Sequence, residues 1–170
     1  MMFAGLCDMF DGTVARKFKR SESAKKFGIQ IDSLCDMVCF GITPSVIGVL
    51  LYCGSKYRII AFITGFLLVL CGVIRLAFFN VTEEERQQST SERRKYYQGL
   101  PITSSAITAP LAYVIGKLIS RKVLPFVYSA FLVLNAFLFI YNFKMPKPHG
   151  KANAGIIVFA LGLFACVLIV

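Results

Sequence analysis

A chain of 170 residues that is 56% hydrophobic, with 19 Lys and Arg against 9 Asp and Glu and a formal charge of +10, fits few soluble classes. Ordinary globular domains are about 45–50% apolar and about 25% charged, whereas only 16% of this chain is charged, too little polar side chain to coat a water-facing surface. The composition excludes a disordered chain and a polar nucleic-acid-binding domain, and it points to a membrane protein whose positive charge sits in loops.

In chain order, Met1–Lys17 has the character of the end of a helix, and Phe27–Asp36 reads as the polar start of a span over Met37–Cys53. Further apolar runs follow at Ile59–Phe79, Leu100–Gly116, Val123–Tyr141 and Gly155–Val170. Each approaches the roughly 20 residues that a spanning helix needs, and their continuous apolarity lacks the alternation of a barrel strand. The expected fold is all-α, a polytopic transmembrane helical bundle. Polar segments separate the runs at Lys17–Lys26, Gly54–Arg58, Thr82–Gln98, Lys117–Lys122 and Asn142–Lys151. The first, third and fifth of these regions, with Arg16 counted in the first, carry 13 basic residues against 5 for the second and fourth. The positive-inside rule then puts the odd-numbered loops in the cytoplasm. The +10 charge is thereby a topology signal and an attraction to anionic membrane lipids, and it requires no nucleic acid. Only seven residues precede Asp8, which as helix cover about 10 Å, about a third of a hydrocarbon core; a helix starting there does not span.

All four aspartates, Asp8, Asp11, Asp32 and Asp36, fall in the first 36 residues, while the five glutamates Glu22, Glu83, Glu84, Glu85 and Glu92 lie in polar segments. A carboxylate at membrane depth costs about 2.5–3.5 kcal/mol even on the lenient insertion scale, so such residues face a cavity or a partner. At about 100° per residue, Asp8, Asp11, Gly12, Ala15 and Arg16 share one face of a helix, and Gly28, Asp32 and Asp36 share one face of a second. Helices packed side by side there would bring four carboxylates together. Two hard divalent cations with oxygen ligands, Mg²⁺ or Mn²⁺, are the natural occupants, and such a pair suits phosphoryl chemistry. Gly12, Ala15 and Gly28 remove bulk from the same faces, and Arg16 offers a forked cation to a phosphate oxygen.

The residues Asp8-Met-Phe-Asp11-Gly12-Thr-Val-Ala15-Arg16, followed by Gly28-xxx-Asp32-xxx-Asp36, resemble the defining motif of the CDP-alcohol phosphatidyltransferase family, DxxDGxxAR…GxxxDxxxD, at all eight positions. Within the family, Arg75-Leu-Ala-Phe-Phe-Asn80 and Tyr97-Gln-Gly-Leu-Pro101-Ile-Thr103 resemble segments of the bacterial and archaeal phosphatidylserine synthases, with Tyr97 for Phe and Thr103 for the usual second Pro. The resemblance implies a reaction of CDP-diacylglycerol with L-serine that gives phosphatidylserine and CMP, in a multi-pass protein of the cell membrane with its active site at the cytoplasmic face. It implies that Asp8, Asp11, Asp32 and Asp36 bind two divalent cations, that Asp36 is also the catalytic base, and that Asp8, Asp11, Gly12, Ala15, Arg16 and Gly28 border the CDP-diacylglycerol. It also implies a homodimer and a bundle from which the first helix and part of the second are missing, with residues 1–152 as the family's membrane domain and 153–170 as an additional C-terminal segment.

Arg75 is the one basic residue inside an apolar run, and Asn80 follows on a nearby face. A snorkelling arginine is the bland reading; contact of Arg75 and Asn80 with the acceptor is the functional one. Ser104 and Ser105 read as helix-packing residues, the six cysteines as small hydrophobes, and His149 as a loop residue without ligand partners. Pro44, Pro101, Pro110 and Pro125 mark helix starts or kinks. The runner-up functions are a sister transferase using glycerol 3-phosphate or inositol phosphate, which would need a further basic cluster, and an intramembrane cation transporter, which would not need Gly and Ala at fixed steps beside the acids.

Overall fold

The computed structural model describes residues 1–15, 21–89, 96–146 and 151–169, the side chains of 9–15, 87–89, 96–98, 144–146, 151–154, 156 and 169 excepted. Helix α1 spans Met2–Ala15. Helix α2 (Glu22–Asp36) runs without a break through a π-helical segment, Met37–Ile42, into α3 (Thr43–Leu51). Then come α4 (Arg58–Ser89), a 3-10 turn at Ile102–Ser104, α5 (Ser105–Ile119), α6 (Leu124–Ile140) and α7 (Lys151–Ile169). The described fold is a helical bundle in which Glu22–Leu51, Arg58–Arg86 and Ile102–Ile119 are long and apolar enough to cross a membrane, with shorter apolar helices at Leu124–Ile140 and Ile157–Leu168. Large apolar side chains such as Phe62, Phe66, Val73 and Phe137 lie exposed on its outer faces, as lipid-facing helices require and water-facing ones rarely tolerate. Several apolar helices of this kind make a multi-pass membrane protein.

Local chemistry sets the helix boundaries. Ser21 caps α2 by accepting from the Ala24 amide at 3.3 Å. The π segment has a cause in Pro44, which lacks an N–H and whose ring would collide with the carbonyl of Phe40 four residues back. The wider turn relieves this, and Thr43 sends both its amide and its hydroxyl, the latter at 2.8 Å, to the Val38 carbonyl. From Leu51 back to Asp36 the rod measures about 22 Å and to Asp32 about 29 Å, so in a hydrocarbon core of about 30 Å the two acids lie toward the interface at the far end.

Several boundaries differ from the sequence expectation, α2 beginning at Glu22 and α7 at Lys151 among them, and two others bear on the site. The segment from Thr82 was expected to leave the helix, yet α4 continues to Ser89. Good helix formers, and a two-pronged Arg86–Glu83 pair at 2.6 and 3.1 Å, sustain it. The run from Leu100 does not begin as α-helix: Gly99 takes a positive φ of 73° and Pro101 is extended, so α5 starts only at Ser105. The polar segments also contain a short antiparallel ribbon of β1 (Tyr96–Gln98) and β2 (Lys144–Pro146), in the register Tyr96↔Pro146, Tyr97↔Met145, Gln98↔Lys144. It joins the segments that follow α4 and α6, so the third and fifth loops of the sequence lie at one end of the bundle. At the other end, Phe126 packs edge-on against Tyr52 and Tyr57, which ties the second loop to the start of α6.

Small residues hold the helices together. Lipid tails are as apolar as leucine, so close backbone approach replaces the hydrophobic drive. Along α4 the buried residues Ala61, Gly65, Leu68, Gly72 and Arg75 recur at steps of four and three. A Cβ on Gly65 would stand 3.0 Å from Cβ of Ser45, whose hydroxyl lies 2.8 Å from the Gly41 carbonyl and 3.0 Å from that of Gly65. A Cβ on Gly5 would meet that of Ala106 at 2.8 Å, which locks α1 onto α5. Between α5 and α6, Thr108 donates to the buried Asn135 side chain at 2.9 Å. Gly65→Leu is expected to destabilise the bundle by about 1–3 kcal/mol through overpacking. Gly162→Leu, at a site with nothing within 4 Å, should leave the thermal unfolding midpoint in detergent unchanged.

Candidate metal centre

The acidic residues come together where α1 and the α2 end of the long rod approach the same point. Carboxylate oxygens of Asp8, Asp32 and Asp36 all lie within 4.8 Å of one another, with Asp8 and Asp36 half-buried and Asp32 exposed. Oxygens bound to one octahedral ion at about 2.1 Å are at most about 4.2 Å apart. Adjacent ligands stand about 3.0 Å apart, so the cluster would close by about an ångström around a hard divalent cation, and carboxylates are the donors such an ion prefers. Asp11 lies one turn beyond Asp8 on α1, with Gly12 and Ala15 following in the same helix; their side-chain positions, and Arg16 altogether, lie outside the described residues. Gly28 stands one turn before Asp32 on α2 and is half-buried.

Arg75 does not snorkel. It is 6% exposed and turns inward, its Nε donating to the Leu100 carbonyl at 3.0 Å and Nη2 reaching the Gly99 carbonyl at 3.5 Å. The guanidinium thereby braces the turn that precedes α5. Gly99 is required there twice over: its φ is positive, and a Cβ would press on the Tyr141 carbonyl at 3.0 Å. Its amide donates to the Phe143 carbonyl at 2.6 Å, which fastens the turn to the segment after α6.

Asn80 connects the acidic helix to the bundle. Its side-chain amide donates to the Ser33 hydroxyl at 2.8 Å, and Ser33 in turn donates to the Ile29 carbonyl at 3.1 Å. Ser33 lies directly after Asp32 and three residues before Asp36. No residue of α2 is buried, so this bond across 47 residues of sequence carries weight in orienting the helix. Sequence reasoning passed over Ser33, since nothing local marks it as Asn80's partner. Asn80→Ala and Ser33→Ala should each weaken divalent-cation affinity by about three- to tenfold, the worth of one hydrogen bond. The double variant should be no worse than the worse single, because both remove the same bond; Mn²⁺ titration followed by electron paramagnetic resonance measures this.

A family model described as CDP-alcohol phosphatidyltransferase matches residues 1–169. The chain is 32% identical over 160 residues to the CDP-diacylglycerol–serine O-phosphatidyltransferase of Saccharomyces cerevisiae, covering 85% of this chain and 56% of the yeast protein. It is 38% identical over 117 residues to the archaetidylserine synthase of Methanothermobacter thermautotrophicus, covering 68% and 45%. Against the CDP-diacylglycerol–serine O-phosphatidyltransferase of Methanocaldococcus jannaschii the identity is 32% over 163 residues, covering 96% and 68%. The chain spans about half the length of the first two of these relatives. Its acidic centre, its helical bundle and the match over 1–169 agree: this chain belongs to the CDP-alcohol phosphatidyltransferase family.

Proposed function

We propose that this protein carries the phosphatidyltransferase centre that makes phosphatidylserine and CMP from CDP-diacylglycerol and L-serine. The observation that carries the reading is the convergence of the Asp8, Asp32 and Asp36 carboxylates within 4.8 Å. The relatives' names supply the serine acceptor and the CDP-activated lipid donor.

Asp8, Asp11, Asp32 and Asp36 would hold two divalent cations, Mg²⁺ or Mn²⁺. Such ions neutralise charge on a diphosphate and on the phosphate that leaves. Gly12, Ala15, Arg16 and Gly28 border the CDP moiety, where small residues admit the nucleotide and Arg16 adds a cation for its phosphates. The reaction is a displacement at the phosphorus that bears diacylglycerol. The serine hydroxyl oxygen forms the new P–O bond, the bond to CMP breaks, and the hydroxyl proton passes to the Asp36 carboxylate. A hydroxyl is a poor nucleophile at neutral pH, and a carboxylate in reach removes its proton as attack proceeds. Arg75 and Asn80 stand on the acceptor side of this reading.

The half-buried position of the centre near one end of the rod lets a membrane lipid enter sideways while serine and CMP pass through the headgroup region. The excess of basic residues in the odd-numbered loops supports the cytoplasmic face of the cell membrane for that end. Pairing of two copies through lipid-facing helix surfaces belongs to the same reading.

Membranes containing the full-length protein, CDP-diacylglycerol and Mn²⁺ should release CMP on addition of L-serine, and not with glycerol 3-phosphate or inositol phosphate in its place. Asp36→Asn should reduce turnover by at least about 10²-fold, the lower range for loss of a general base, while CDP-lipid binding falls only modestly. Retained turnover in Asp36→Asn would assign the base elsewhere.

A further inference from the structure

Two serines at the start of α5 carry hydroxyls that the fold leaves unanswered. Ser104 Oγ and Ser105 Oγ are shut off from solvent and have no hydrogen-bond partner among the described residues, and Ser105 is 2% exposed. Such a group costs about 1–3 kcal/mol, and native structures keep few of them. The usual remedy in a helix is a bond back to the carbonyl four residues earlier. Ser33, Ser45 and Thr108 all use it here, at 3.1, 2.8 and 3.2 Å. For Ser104 that carbonyl is Leu100, which accepts from Arg75. For Ser105 it is Pro101, which accepts from the Ser104 amide at 3.1 Å. Each of these carbonyls keeps a second lone pair, yet neither hydroxyl bonds back to it in this turn.

The position of these serines relates them to the acidic centre. Ile102, one turn before Ser105, packs into the space beside Gly72, where Met37 also lies; Ala106, directly after it, meets Gly5 of α1. Met37 follows Asp36 in the chain, and Gly5 lies three residues before Asp8. Ser105 is therefore bracketed by residues that touch the two elements carrying the carboxylates.

We propose that Ser104 and Ser105 bind the polar groups of the acceptor beneath the acidic centre and select a small zwitterionic amino alcohol. This rests on the transferase reading above. A hydroxyl both donates and accepts, so two of them serve an ammonium and a carboxylate together. A phosphate-bearing alcohol would call for cations instead. The two hydroxyls are small and uncharged, and the Arg75 guanidinium beside them is engaged by the Leu100 and Gly99 carbonyls, which suits a zwitterion better than a dianion.

The test uses Ser104→Ala, Ser105→Ala and the double variant in the full-length protein, reconstituted in vesicles with CDP-diacylglycerol and Mn²⁺. Each single variant should raise the KM for L-serine about three- to tenfold, the loss of one hydrogen bond, with kcat and the KM for CDP-diacylglycerol within about twofold of wild type. The thermal unfolding midpoint in detergent should be unchanged or higher, since alanine removes an unsatisfied hydroxyl. An unchanged serine KM in an active protein overturns the assignment alone, as does a lowered unfolding midpoint, which would mean the hydroxyls serve the fold. A wild-type protein that releases no CMP with serine overturns the transferase reading and this assignment with it.

Discussion

Three carboxylates held within 4.8 Å of one another repel by about 3 kcal/mol per pair at an effective dielectric constant of about 20. The bundle has to hold them there against that repulsion, and the packing around the centre follows from this need. Asp8 arrives on a short helix that a glycine-to-alanine contact, Gly5 against Ala106, fixes to α5. Asp32 and Asp36 arrive on a rod that is continuous with the core through the π segment, so buried residues such as Phe40, Pro44 and Ser45 anchor the exposed acidic end. Packing supplies the rigidity that electrostatics opposes, and cations would then convert the repulsion into binding energy.

The second organising charge is Arg75. A buried cation is tolerated only with hydrogen-bond partners in reach, and this one finds them in the backbone carbonyls of Gly99 and Leu100. The consequence spreads through the turn: the positive φ of Gly99, its amide bond to Phe143, and the ribbon that pairs the third polar segment with the fifth all lie on the same strip of chain. Together with the Asn80–Ser33 bond, these contacts gather the first, third and fifth polar segments at the end of the bundle where the acids are. Local geometry there sets the surroundings of the acidic cluster, whereas the lipid-facing surfaces decide only that the protein stays in the membrane.

Much of this was legible in the sequence, for a physical reason. Membrane class follows from composition, since no folding can hide so many apolar residues from water in a chain of this size. The grouping of the aspartates follows from helix periodicity, a local property: residues three and four apart share a face wherever the helix goes. The parity of basic residues among the loops likewise anticipated which segments gather at one end, and the β ribbon agrees. The continuation of α4 to Ser89 was less legible, because a charged segment made of good helix formers reads equally as a solvated loop.

What the sequence by itself determined is thus the membrane class, the helical bundle and the common face of Asp32 and Asp36, all set by composition or by a spacing of four residues, whereas the approach of Asp8 to that face is tertiary. Tertiary structure alone decided the partnerships: Asn80 with Ser33 across 47 residues, Arg75 with the Gly99–Leu100 turn across about 25, and the two hydroxyls of Ser104 and Ser105 left without a partner among the described residues. These depend on which helix faces meet. No local pattern encodes that, because a hydrogen bond is settled by the whole set of competing donors and acceptors that packing brings within reach.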